Sequence, residues 1–249
     1  LAAEYTPDEQ ARIIKASFQN QGKNLVEVLQ LSRSTPSQIH SMVSFEGEGC
    51  LKEAADRGRG VIFVTAHLGN WELMAVAVAM RFPLSVVAAP IYDPKIEEIM
   101  VGLRKTYSIE TVVRGQPHSL RRLLTALKNR GVVGMLMDQD TRVDGAFVPF
   151  FGREAYTPIG PASLALRTGA AVVTGFIIRL PDHRHRIVVR GPVELTQTGD
   201  RKSDIQANTD RFTQAIEGFV RAFPDQWIWM HERWKRGGQI SNLSPSRNQ

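Results

Sequence analysis

Residues 60–80 read GVIFVTAHLGNWELMAVAVAM. The run Val61-Ile62-Phe63-Val64-Thr65 is apolar and β-branched, the pattern of a buried strand. It breaks at His67-Leu68-Gly69-Asn70-Trp71-Glu72 and resumes as a helical stretch, Leu73 to Met80. In α/β folds, ligands sit at the ends of such strands. A neutral imidazole with a pKa near ~6.5 accepts a proton at working pH. A carboxylate on its other nitrogen fixes the tautomer and stabilises the imidazolium. Five residues along a regular helix turn roughly 500°, so His67 and Glu72 cannot share a helix face. Pairing them needs a bend, which Gly69-Asn70 can supply. The spacing does not match the helical His-Glu-x-x-His zinc pattern. Taken alone, the pair reads equally well as a core histidine and a surface charge.

Working outward, Thr6-Pro7-Asp8-Glu9 is a helix start, with Thr6 as N-cap. Ile13, Phe18, Leu25, Val28 and Leu29 recur at roughly helical spacing up to Leu31. That pattern predicts an amphipathic helix over 6–31, packed on the domain by its apolar side; a membrane-facing helix is the alternative. Gly49 to Arg57 reads as a short helix. After the His67 corner come strand Leu84–Ala89, a helix from Asp93-Pro94 to Lys105, strand Ile109–Val113, helix Pro117–Lys128 and strand Val132–Met137. Strands alternating with helices predict a largely parallel sheet covered on both faces. Asp140 to Thr157 reads as a long loop. It is followed by helix Pro158–Thr168, paired strands Ala171–Arg179 and Arg186–Val189, and helix Asp204–Phe223. The expectation is a single α/β domain, an αβα sandwich with a mostly parallel mixed sheet, over 6–236. A polar tail, 237–249, follows it.

The 249 residues carry a net charge of +6, which suits an acidic partner such as an anionic membrane or an acidic carrier protein. No platform of interleaved aromatic and basic residues marks a nucleic-acid surface. Cys50 is the sole cysteine, which excludes an intrachain disulfide and a Cys-based zinc site. No apolar run is long enough to cross a membrane as a helix.

Four ordered stretches carry a resemblance. They are His67 to Glu72; Met137-Asp138-Gln139-Asp140; Gly145 to Gly152, reading GAFVPFFG; and Pro224 to Lys235, reading PDQWIWMHERWK. HLGNWE resembles the His-x4-Asp/Glu motif of the lysophospholipid acyltransferase superfamily. The Gly-Asn-Trp-Glu form is similar to its bacterial lipid A late acyltransferases, of lauroyl and myristoyl type. The resemblance runs from about Arg12 to Lys235. It departs at Ala88-Ala89-Pro90, where many relatives carry an Arg before the Pro.

The resemblance implies a glycerol-3-phosphate acyltransferase-like fold and an O-acyltransferase that needs no metal or cofactor. His67 would be the general base, Glu72 its orienting carboxylate, and Asp138 a third active-site residue that holds His67 or binds the acceptor. Asp140 follows as a substrate contact. Asn70 and nearby backbone N–H groups are candidates for the oxyanion. Arg104 and Arg114 suit phosphate recognition, because a guanidinium binds oxygens bidentately. Phe147 and Phe150 are candidate acyl-pocket linings. Trp227 and Trp229 are expected to pack, and Arg233, Lys235 and Arg236 to face the membrane surface. The implied donor is acyl-acyl carrier protein and the acceptor a phosphorylated glycolipid, the lipid A precursor. The implied place is the cytoplasmic face of the bacterial inner membrane, with an N-terminal anchor preceding Leu1. Other acceptors in the superfamily, glycolipid or lysophospholipid, stay open. Asp138-x-Asp140 alone also fits a metal-dependent glycosyltransferase, and a non-catalytic lipid-binding module is a third reading.

Overall fold

The computed structural model describes residues 4–236, so the expected tail at 237–249 lies outside the described residues. Helix α1 spans Pro7–Leu31 and α2 Pro36–Met42; strand β1, Val43–Glu46, and helix α3, Glu48–Asp56, follow. Then come β2 (Val61–Thr65), α4 (Trp71–Ala79), β3 (Leu84–Ala88), α5 (Pro94–Thr106), β4 (Glu110–Val113), α6 (Ser119–Lys128) and β5 (Val132–Leu136). The chain continues through β6 (Gly145–Phe150), β7 (Arg153–Pro158), α7 (Gly160–Thr168), β8 (Ala171–Arg179), β9 (His185–Arg190) and α8 (Arg201–Ala222).

Seven strands form one sheet in the order β1-β9-β8-β2-β5-β3-β4. All pairs are parallel except β8 with β9. β2 lies at the centre and is buried along its whole length, as a strand covered on both faces must be. Its side chains alternate. Ile62 and Val64 enter a core with Leu123 and Leu127 of α6, Ala162 of α7 and Phe212 of α8. Val61 and Phe63 enter the opposite core with Leu51 of α3, Leu73 of α4 and Leu103 of α5. The two cores make the three layers of the αβα sandwich.

The segment 140–157 is not the expected long loop. Much of it is an antiparallel hairpin, β6 with β7, in register from Gly145↔Pro158 to Phe150↔Arg153. Its two-residue turn, Phe151-Gly152, has positive φ at both positions, 52° and 70°, as a type I′ turn requires. Pro149 inside the strand and a Phe in place of the usual Asn disguise it. The left-handed Phe151 is anchored by its backbone N–H, which donates to Glu217 of α8 at 2.7 Å. The short elements α2 and β1 add to the expected order.

Helix α1 starts as expected, with the Thr6–Glu9 capping box and Pro7 in the first turn. Its facing is a correction. Phe18, Leu25 and Leu29, expected to pack, are 56%, 62% and 58% exposed, as is Ile14 in similar measure. Val28 and Leu31 pack at its C-terminal end, but the rest of the side that packs is polar. Ser17 donates to the carbonyl of Trp227, Asn20 to that of Asp225 and Asn24 to that of Gly69.

Candidate active site

The geometry begins with strand register. β2 and β5 pair in parallel from Val61↔Val132 to Thr65↔Leu136. Continuing that register past both strand ends sets His67 beside Asp138. The His67 backbone N–H donates to Asp138 Oδ2 at 2.9 Å, and His67 Nδ1 lies 2.8 Å from Asp138 Oδ1. The Gln139 side-chain amide sits 3.0 Å from the same ring nitrogen. Trp227 Nε1 donates to Asp138 Oδ2 at 2.8 Å. Burial alone would raise the Asp138 pKa; the charge of His67 and the hydrogen bonds from His67 and Trp227 overcome it and hold it at about 2. An ionised Asp138 accepts the Nδ1 proton, which leaves Nε2 of His67 as the basic nitrogen.

The turn that carries His67 is clamped from behind. Leu68 bridges Trp227 in antiparallel fashion. Gly69 N–H donates to Gln226 O at 2.9 Å, and Ile228 N–H to His67 O at 3.2 Å. Gly69 has φ +61°, and a Cβ there would lie 2.0 Å from the Ile177 carbonyl oxygen, so only glycine fits. Asn70 caps α4, its Oδ1 accepting from Leu73 N–H at 3.0 Å, while its Nδ2 donates to Glu27 of α1 at 2.8 Å. Glu27 in turn is engaged by Arg179 and by His185. Burial opposes ionisation of Glu27, but hydrogen bonds from His185, Arg179 and Asn70 hold its pKa at about 2.

A cleft of about 260 Å³ opens beside the imidazole. His67, Trp71, Glu72, Arg104, Arg114 and Gln139 contribute its polar and aromatic walls. It is fed by the C-terminal ends of β3, β4 and β5 and by the first turn of α4. A smaller apolar hollow of about 30 Å³ lies between α4 and the sheet, among Phe63, Met74, Val78, Leu84 and Gly134. Trp71, Ala75, Val86 and Leu136 line both spaces.

Several expected site residues stand elsewhere. Glu72 does not hydrogen-bond His67. Its carboxylate is gripped by Arg104, through Nη2 at 2.5 Å and Nε at 3.0 Å, because the first turn of α4 faces α5. Asn70 is 1% exposed and both its side-chain groups are occupied, so it does not face the cleft. Asp140 turns away from Asp138 to accept from the backbone N–H and Nε of Arg236. The two carboxylates therefore do not converge as a shared metal site requires. Phe150 is fully buried against Phe151, Trp227 and Trp234. Phe147 is partly exposed, edge-on to Tyr156. Neither lines the cleft, because the hairpin stacks on α8 instead. Arg233, expected at the surface, is buried and donates to Tyr156 O at 2.7 Å and to Thr157 Oγ1. Trp227 packs as expected, but its part in holding Asp138 was not anticipated. Its ring N–H requires a partner when buried, and that was the available signal. His231 was also missed; its ring centroid stands 5.7 Å from that of His67.

The sequence profile of the bacterial lipid A biosynthesis acyltransferases matches residues 3–236. The chain belongs to that family. This acyltransferase is 26% identical to the lipid A biosynthesis palmitoleoyltransferase of Escherichia coli (strain K12), over 93% of this chain and 74% of the relative. It is 26% identical to the phosphatidylinositol mannoside acyltransferase of Mycolicibacterium smegmatis, over 97% of this chain and 76% of the relative. The protein of that name from Mycobacterium tuberculosis is 27% identical, over 93% of this chain and 72% of the relative. Membership replaces the glycosyltransferase and binding-module readings. Among the described residues, no helix is long and apolar enough to cross a membrane.

Proposed function

We propose that this acyltransferase moves a fatty acyl chain from acyl-acyl carrier protein to a hydroxyl of a phosphorylated glycolipid, a lipid A precursor. His67 is the general base, and Asp138 is the carboxylate that orients it. Nε2 takes the proton of the acceptor hydroxyl as its oxygen attacks the thioester carbonyl. The tetrahedral intermediate collapses, the carbon–sulfur bond breaks, and the imidazolium returns the proton to the leaving thiolate. Asp138 balances the imidazolium while it lasts. The observation that carries this reading is the hydrogen bond from Nδ1 to a buried, ionised carboxylate in an imidazole that borders the cleft.

The first N–H groups of α4, at Trp71 and Glu72, have no partner within the helix, and both residues line the cleft, which suits them to stabilise the charge that develops on the carbonyl oxygen. Of the expected oxyanion donors, Asn70 and nearby backbone N–H groups, these backbone groups remain, since both side-chain groups of Asn70 are occupied. Arg104 and Arg114 recognise substrate phosphate, with Glu72 holding Arg104 in place. The acyl chain enters the apolar hollow beneath Trp71, which opens further to admit it. The outward apolar stripe of α1, Ile14, Phe18, Leu25 and Leu29, supports residence on the cytoplasmic face of the inner membrane. The relatives' names, lipid A biosynthesis palmitoleoyltransferase and phosphatidylinositol mannoside acyltransferase, support a glycolipid acceptor.

The test is transfer from radiolabelled acyl-acyl carrier protein to a panel of lipid acceptors in detergent, with coenzyme A thioesters in parallel. His67→Ala is expected to lower the rate by roughly 10²–10⁴-fold. An unchanged rate in that variant removes His67 from the mechanism; transfer only from coenzyme A thioesters replaces the donor.

A further inference from the structure

Beside the His67 cleft lies a second hollow of about 520 Å³, lined by Arg114, Asp140, Thr141, Arg142, Lys235 and Arg236. Arg114 and Thr141 border both spaces, so the two adjoin. Four of the six lining residues are cations and one is a carboxylate. That carboxylate is already occupied. The Asp140 side chain is 1% exposed and is bound by Arg236, through the backbone N–H at 2.9 Å and Nε at 2.6 Å. The Arg236 guanidinium is further fixed over the Tyr156 ring, 3.7 Å from its centroid.

Lys235 has only the exposed Glu232, at 3.5 Å. Among the described residues, no side-chain hydrogen bond or ion pair engages the guanidinium of Arg114 or Arg142. Like charges converging on one hollow repel unless an anion joins them, and a guanidinium fork fits phosphate oxygens bidentately. Arg114 and Arg142 are thus the two cations of the hollow with no carboxylate partner among the described residues, and their guanidinium forks suit a phosphate.

We propose that this hollow binds a substrate phosphate, with Arg142 and Lys235 as its ligands beside Arg114. The proposal rests on the acyl-transfer reading for its choice of ligand. Two substrates carry such a group: the phosphopantetheine arm of the donor and the phosphorylated acceptor. Pairs of probes that differ only in the phosphate separate them.

Equilibrium binding to the whole protein is measured for 4′-phosphopantetheine against pantetheine, and for phosphatidic acid against diacylglycerol in neutral detergent micelles. The wild type is expected to bind one phosphorylated probe at least ~10-fold more tightly than its phosphate-free partner. The pair that shows the preference names the source. Arg142→Ala with Lys235→Ala, both exposed positions, is expected to abolish the preference while the thermal melt stays unchanged. No preference in either pair, or a preference that survives in the double variant, overturns the proposal. Binding is read without turnover, so a protein that keeps the phosphate preference but transfers no acyl chain refutes the reaction and leaves the hollow standing.

Discussion

Asp138 bonds His67 and Glu72 lines the same cleft, and the two carboxylates are held differently. Asp138 follows a central strand, is buried behind the imidazole and accepts from His67 and Trp227. Glu72 sits in the first turn of α4, borders the cleft and is clasped by Arg104 from α5. Both are carboxylates within a few residues of a family motif. The difference lies in which neighbour the fold brings to them. A carboxylate on Nδ1 tunes a base; a carboxylate on a guanidinium fixes a binding group and joins two helices.

That division of labour can be broken experimentally. The largest effect is expected for Asp138→Asn. It keeps the shape but removes control of the His67 tautomer, and should lower kcat by roughly 10³–10⁴-fold. Glu72→Gln, which still hydrogen-bonds Arg104, should hold kcat within about tenfold. Equal losses in the two variants would erase the distinction. Next in size, Glu72→Ala leaves Arg104 almost buried and without its carboxylate, and should cost about 3 kcal/mol in urea unfolding. A melt like that of the wild type would show that the pair does not tie α4 to α5.

The smallest effect concerns acid. Asp138 is held at about 2 in the folded protein, below the ~3.9 of an unfolded chain. A depressed carboxylate contributes stability that is present above its unfolded pKa and lost as pH falls towards its folded one. The expected contribution is roughly 2–3 kcal/mol, lost between about pH 4 and pH 2. Urea midpoints of the wild type and Asp138→Asn should converge as pH falls through that window. A constant gap would assign the depressed value to some other cause.

The same contrast explains what was legible in advance. The strand at Val61, the capping box of α1 and the alternation of strands and helices are local patterns, and the structure reproduces them. His67, Asp138 and Trp227 were each within motifs that could be named; a contact of Asp138 with His67 was one of two readings, and that of Trp227 with Asp138 was not anticipated. Glu72 was the nearer carboxylate along the chain, and it is five residues away. Asp138 is 71 residues away, and only the pairing of β2 with β5 makes it the closer one in space. Helix α1 teaches a related lesson. Its apolar residues were expected inside, yet Ser17, Asn20, Asn24 and Glu27 turn inwards because the His67 corner and the segment around Trp227 present carbonyls and the amide of Asn70 for them to bond. The hairpin at Phe147 was hidden for the opposite reason. Its strands obey pairing rules, but its turn residues are atypical, and α8 supplies the compensating contact at Phe151.

By itself, the sequence determined the class of fold, the position of the His67 corner and membership in an acyltransferase family. Those depend on periodicity, on chain-breaking residues and on ordered motifs, all of which are properties of neighbours in the chain. Only the tertiary structure decided which carboxylate serves His67, which helix face meets the domain and where the cations gather. Parallel strands come from distant parts of the chain, and their register, unlike their existence, is settled by packing on both faces of the sheet.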